Sequence, residues 1–191
     1  MTENALRVAI VVGSNRPGRF APAVAGWFAE RARAHEGIRP EIIDLEDLEL
    51  PTALGDPAAT AALAEATAAL ERADAFVIIT PEYNHSFPGS LKNFVDAHFT
   101  QWQAKPVAFV SYGGMAGGQR AVEHLRQVFA ELHAVTVRDT VSFHNPWGRF
   151  DGEGRHLEPE GANAAAKAML DQLVWWGHAL RDARAVRPYS A

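Results

Sequence analysis

The chain has 191 residues and a mass of 20.8 kDa, which a single α/β domain can fill and which lets roughly 70% of the unfolded surface be buried without a disulfide or metal staple. It contains no cysteine, which excludes disulfides, thiolate metal centres, iron–sulfur clusters and cysteine nucleophiles, so any redox chemistry must use a borrowed cofactor. A net charge of −5 has the wrong sign for a sequence-independent hold on nucleic-acid phosphates, no apolar run approaches the roughly 20 residues that span a bilayer, and Met1 to Arg7 lacks the order of a signal peptide; residues 1–191 are therefore expected to form one cytoplasmic domain with no nucleic-acid or membrane partner.

Arg7 to Val12 is a short Val-rich run that stops at Gly13, which suits a strand buried on both faces. Pro22 stands where a first helical turn tolerates proline, and Val24, Ala25, Phe28 and Ala32 then form one stripe of a helix. Glu41 to Leu45 reads as a second strand. The acidic stretch Asp44 to Glu49 is most simply a solvated rim, and it leads through Pro51 to Asp56-Pro57, an N-cap followed by an N1 proline. An alanine-rich helix with Leu63, Ala66, Leu70 and Ala73 on one side precedes a third strand, Ala75 to Thr80.

Past the loop Pro81 to Phe87, Leu91, Phe94, Val95 and His98 recur at helical spacing from about Pro88. Pro106 to Tyr112 is the fourth strand; glycines 113, 114, 117 and 118 follow, then a helix carrying Val122, Leu125, Phe129 and Leu132. Val135 to Phe143 supplies a fifth strand, His144 to Leu157 is irregular, and the last helix, from near Pro159, turns Met169, Leu173, Trp176 and Leu180 inward before a frayed tail from Arg187. Five strands separated by helices imply a doubly wound, mostly parallel sheet covered on both faces, because each parallel connection needs a right-handed crossover.

Three loops carry the candidate chemistry, and each follows an apolar strand. With the strands in the order 2-1-3-4-5 all three border one crevice at the sheet's carboxyl ends, where ligands bind in such folds. The first, Gly13 to Arg19, combines glycines, the Ser14 hydroxyl, the Asn15 amide and the guanidinium groups of Arg16 and Arg19 at a helix N-terminus, the make-up of a phosphate-monoester site; a plain strand-to-helix turn with solvated arginines is the other reading. The second, Pro81-Glu82-Tyr83-Asn84-His85-Ser86, offers polar groups for a flat ligand or is merely a tight turn between prolines. The third pairs Ser111 and Tyr112 with Gly113 and Gly114, allowing close backbone approach to a ring or serving only the chain's turn.

Other chemistries lack their residues. Gly13 and Gly18 have the spacing of a nucleotide-hydrolase phosphate loop, but Arg19 and Phe20 stand where Lys and Ser or Thr are required. Gly-x-Gly-x-x-Gly is absent, no His or carboxylate pattern has metal-ligand spacing, and no Gly-x-Ser-x-Gly elbow surrounds a serine. His98 and His124 read as helix histidines satisfied by their neighbours.

Taken together, Gly-Ser-x-Arg after the first strand, Pro-Glu-Tyr-Asn followed by Pro-Gly-x-Leu-Lys-Asn-x-x-Asp from Pro88 to Asp96, and Gly-Gly before the fourth helix resemble the NADPH-dependent FMN reductase family, from about Val8 to Leu180. The resemblance implies a flavodoxin-like fold, bound FMN, NADPH or NADH as co-substrate, and reduction of flavins, quinones, azo dyes or chromate. By position, Ser14, Asn15, Arg16 and Arg19 would take the FMN phosphate, Pro81, Glu82, Tyr83 and Asn84 would border the flavin and ribityl chain, and Ser111, Tyr112, Gly113 and Gly114 would close the ring's other side. Relatives often carry Ser or Thr where Arg19 stands. No catalytic acid or base is implied, since the flavin carries the chemistry.

Nicotinamide and acceptor would visit the same exposed flavin face, which implies ping-pong kinetics. The resemblance also implies a homodimer or homotetramer. Trp102, Trp147, Trp175 and Trp176 are candidates for its interface, with core packing the equal or better role for Trp176, and the segment 144–157 is a candidate to fold over the flavin. A flavodoxin-like electron carrier or redox-sensing module that turns over no nicotinamide is the alternative.

Overall fold

The structure is a computed structural model that describes residues 5–51, 53, 61 and 63–190. Strands β1 (Leu6–Val12), β2 (Ile38–Asp44), β3 (Ala75–Pro81), β4 (Pro106–Gly113) and β5 (Val135–His144) form one parallel sheet in the order 2-1-3-4-5. Helices α1 (Ala21–Ala34), α2 (Ala64–Arg72), α3 (Gly89–Asp96), α4 (Gln119–Glu131) and α5 (Pro159–Val186) connect or follow them. This is the flavodoxin-like arrangement, with its switch point between β1 and β3.

Side chains alternate across each strand, so the sheet feeds two cores. Ile10, Val77, Val110 and Phe143 pack with Val24, Phe28, Met169 and Leu173 beneath α1 and α5. Val11, Phe76, Ile78 and Phe109 pack with Leu70, Phe94, Leu125 and Phe129 beneath α2, α3 and α4. β3, apolar but for Thr80, is buried along its whole length, as the middle strand of a sheet covered on both faces must be. No helix among the described residues is long and apolar enough to cross a membrane.

Several local expectations are corrected. β2 begins at Ile38 rather than Glu41, and it includes Pro40 because it is an edge strand, where a missing N–H costs no ladder bond. Trp27, outside the expected α1 stripe, is a core residue whose ring meets Phe143 edge-on at 5.0 Å. Trp102 is wholly buried against Phe76 and Phe129 and donates its indole N–H to the carbonyls of Val95 and His98, so it serves the core and no interface. The tail is tied down by the Tyr189 hydroxyl, 2.8 Å from His133 Nδ1. The Asp56-Pro57 cap lies outside the described residues.

At the end of the sheet away from the three loops, Lys105 is buried and donates to the carbonyls of Leu70 and Glu71 at 2.9 and 3.1 Å, closing the C-terminal end of α2. Burial, with Arg184 nearby, pushes its ammonium down to about 8. Between that value and the ordinary value of an unfolded lysine the unfolded chain binds the extra proton, so this group makes stability rise with pH. Urea midpoints at pH 7.5 and 9.5 should show the wild type gaining about 1–2 kcal/mol relative to Lys105→Met. Equal pH dependence of the two proteins would refute the assignment.

Candidate functional site

The three loops leave the carboxyl ends of β1, β3 and β4, which are adjacent, and they are stitched to one another. Gly13 N–H donates to the carbonyl of Ile79 at 2.8 Å, Glu82 N–H donates to the carbonyl of Tyr112 at 3.0 Å, and the hydroxyls of Ser14 and Tyr83 meet at 3.0 Å. A Cβ on Gly13 would lie 3.0 Å from Leu91 and 3.1 Å from the Ile79 carbonyl, so glycine lets β1 and the Pro81 loop close on each other.

In the first loop Ser14 is buried, while Asn15, Arg16, Pro17 and Gly18 are exposed. Gly18 turns the chain at φ +67°, a conformation that favours glycine. No side chain caps α1 at Phe20, and proline occupies its first turn, so its leading backbone N–H groups and the positive end of its dipole face the loop. The Arg16 guanidinium makes no hydrogen bond or ion pair with another described residue. Arg19 is different. It donates to the carbonyl of Ser14, forms a two-pronged ion pair with Asp44, one bond of it at 2.8 Å, and also contacts the carboxylate of Glu46. The Asp44 hydrogen bond is the main cause that raises its pKa further. Its Nε–H, also buried, has no partner among the described residues.

Asp44 and Glu46 are thus drawn into the site, which corrects their reading as a solvated rim. The signal lay in the strand order: β2 neighbours β1, and Asp44 stands opposite Val12 in register, next to the first loop.

The second loop is a two-residue reversal in which Tyr83 and Ser86 exchange backbone hydrogen bonds of 2.9 and 3.0 Å. Asn84 and His85 occupy its corners at φ +48° and +74°, as the matching turn type demands; asparagine suits that conformation well and histidine less so. Glu82 pairs through Oε1 with Arg120 of α4 at 2.9 Å, while its buried Oε2 has no partner among the described residues. His124 Nδ1 lies 3.0 Å from the Ser86 hydroxyl. Arg120, unremarkable in the sequence, thereby joins the site.

In the third loop the side chains and the backbone part company. Ser111 is buried and donates to the carbonyl of Gly117, and Tyr112 is buried on the α1 side, its hydroxyl raised by loss of solvent and by Tyr83. The Ser111 and Tyr112 side chains are thus engaged within the protein, Gly113 is buried at the end of β4, and Gly114 is exposed. A Cβ on Gly113 would come within 3.2 Å of Glu82 and 3.1 Å of the Gly118 nitrogen, so loops two and three share that space.

Segment 144–157 is fixed to the same rim by its own chain. Asn145 N–H donates to the carbonyl of Gly113 at 2.8 Å, Phe150 joins the core beside Phe143, and the exposed Trp147 ring lies 6.4 Å from Phe20 at the head of α1. Beyond it, a cleft of about 780 Å³ opens between the end of β5 and the start of α5, lined among others by His144, Arg149 and His156. That cleft is not where the three loops converge.

An unpartnered buried N–H on Arg19, an uncapped helix N-terminus and an unpaired Arg16 fit a phosphate monoester. The unpartnered Glu82 oxygen and the exposed, side-chain-free backbone at Gly114 suit a flat polar ring beside it. No group of three or more His or carboxylate side chains that could hold a metal occurs among the described residues.

Comparison with known proteins gives a consistent result. A model of the NADPH-dependent FMN reductase family matches residues 6–148. An NAD(P)H-dependent FMN reductase of Schizosaccharomyces pombe is 32% identical over 60% of this chain and 62% of its own length. A probable NADPH:quinone oxidoreductase of Oryza sativa is 33% identical over 82% of this chain and 81% of its own. Among solved structures, the flavoenzyme NAD(P)H:(acceptor) oxidoreductase of Paracoccus denitrificans superposes with a TM-score of 0.72 at 24% identity, covering 92% of this chain and 98% of that one.

Proposed function

The chain belongs to the NADPH-dependent FMN reductase family, and from that premise we propose that residues 1–191 form one FMN-binding domain that takes reducing equivalents from NADPH or NADH and delivers them to flavins, quinones, azo compounds or chromate. The observation that carries the reading is the stitching of three loops at the switch point, with an anion-suited turn at one end and bare backbone at the other. Bound FMN would supply the two-electron redox chemistry between nicotinamide and acceptor.

The residues of the chain bind and orient. Backbone N–H groups of the first loop, with Ser14, Asn15, Arg16 and Arg19, would hold the phosphate; Pro81, Glu82, Tyr83 and Asn84 would border the ribityl chain and ring; the backbone at the Gly113-Gly114 turn would close the ring's other side, where N–H groups would steady negative charge on a reduced flavin. Ser111 and Tyr112 support loop three from beneath, the one through Gly117 and the other through the core. No side chain here needs to exchange a proton with substrate.

Nicotinamide and acceptor share one rim, so initial rates at several fixed acceptor concentrations should give parallel double-reciprocal lines against NADPH. Intersecting lines would remove the shared-site mechanism. Purified protein should carry FMN, and its colour should bleach within seconds when NADPH is added without oxygen. A flavin-loaded protein whose spectrum NADPH and NADH leave unchanged would instead be an electron carrier.

A further inference from the structure

We infer that Asp44 is a positioning residue for the cofactor phosphate: its two-pronged pair with Arg19 fixes that guanidinium so that the unpartnered Nε–H is presented as a directional donor, while Arg16 supplies the mobile positive charge. The inference rests on the FMN reading given above.

Three observations lead to it. Arg19 is nearly inaccessible, with a side-chain exposure of 8%. Two of its donor nitrogens are already engaged, by both oxygens of Asp44, by Glu46 and by the carbonyl of Ser14. Its third nitrogen is buried and unsatisfied, a condition that costs free energy until an acceptor arrives. Arg19 also bridges elements that covalent connection leaves apart, joining the end of β2 and the turn after it to the loop after β1. With two carboxylates against one guanidinium, this cluster carries no surplus positive charge. An arginine retained there acts through geometry and not through net attraction, since a planar fork can hold a carboxylate with two nitrogens and still aim the third.

This assignment predicts effects of opposite sign from those of simple electrostatics. Asp44→Asn deletes a negative charge near the phosphate, so Coulomb's law alone says that FMN should bind more tightly. If Asp44 positions Arg19, FMN should bind about tenfold more weakly, because a charge-assisted donor is misdirected. Asparagine keeps an oxygen for the Glu46 N–H that Asp44 now accepts at 3.1 Å, so the turn after β2 is preserved. Arg19→Lys, which keeps the charge and loses the fork, should give a similar loss.

The test is fluorescence titration of apoprotein, prepared by acid ammonium sulfate and refolded, with FMN and with riboflavin. The expected result is a loss of FMN affinity in both variants with riboflavin affinity unchanged, so that the FMN-to-riboflavin preference falls about tenfold. Tighter or unaltered FMN binding by Asp44→Asn would overturn the inference, as would equal weakening of both ligands, which marks a purely structural role. Full retention by Arg19→Lys would overturn it as well, since charge alone would then suffice. Failure of the wild type to bind FMN would remove the proposed function, and this inference with it. Wild-type binding with an unaffected Asp44→Asn would remove only this inference.

Discussion

Gly118→Ala should lower the stability of the protein by about 2–5 kcal/mol, because two independent costs fall on one methyl group. Gly118 opens α4 at φ +86°, where an L side chain is strained by roughly 1–2 kcal/mol. Its added Cβ would lie 2.6 Å from Ser111 Cβ and 2.8 Å from the Tyr112 backbone nitrogen. Neither atom is the end of a flexible chain: both belong to β4, a fully buried strand between β3 and β5. Relief requires moving α4 off the strand or pushing β4 out of register with β3, and overpacking of that kind costs about 1–3 kcal/mol more. A thermal midpoint lower by about 4–20 °C is expected for a chain of this size. Gly26→Ala is the control, since nothing lies within 4 Å of its added Cβ and it sits on the exposed side of α1. That variant should match or exceed the wild type. Similar melting of Gly118→Ala and wild type would show that β4 and α4 are not packed as described.

The contrast between those two glycines shows what a sequence can and cannot display. Strand positions were legible wherever a short apolar run met a turn residue, as at Val12-Gly13 and Ala75 to Thr80, because burial on both faces leaves no other pattern for a central strand. The edge strand was harder. Ile38 to Asp44 is half exposed and contains Pro40, so its pattern is set by solvent as much as by the core. The crevice was legible because strand order follows from the connections, and the loops after β1, β3 and β4 carry unusual residues. Which atoms face the crevice was not legible, because alternation fixes a side chain's face while neighbouring loops decide its partner. Ser111 looks like a ligand-facing hydroxyl in the sequence, yet it is spent on Gly117. Asp44 looks like one charge in a solvated run, yet it meets Arg19, 25 positions earlier, only because β2 lies beside β1. Lys105 gave no signal of burial, since a lysine enters a core only where carbonyls at a helix end are waiting for it.

Arg16→Glu should weaken FMN binding by about 100-fold or more while leaving riboflavin binding and the melting temperature nearly unchanged. Arg19 is offset by Asp44 and Glu46, so the surplus positive charge near the head of α1 belongs to Arg16, which is exposed and unpaired among the described residues. A phosphate monoester carries nearly two negative charges at neutral pH. Losing one charge-assisted donor costs roughly 1.5–3 kcal/mol, about 10- to 100-fold, which is the expectation for Arg16→Ala. Replacing it with a carboxylate adds repulsion of comparable size, partly screened at this solvent-facing position. Salt then separates the variants by sign. Raising ionic strength should weaken FMN binding to the wild type, where it screens attraction, and strengthen it for Arg16→Glu, where it screens repulsion. Since Arg16 holds no other described residue in place, its substitution has little to act on in the fold itself. Fluorescence titrations with FMN and riboflavin at 50 and 500 mM salt measure all of these quantities. Equal salt slopes for wild type and Arg16→Glu would mean that Arg16 contributes no charge at the phosphate.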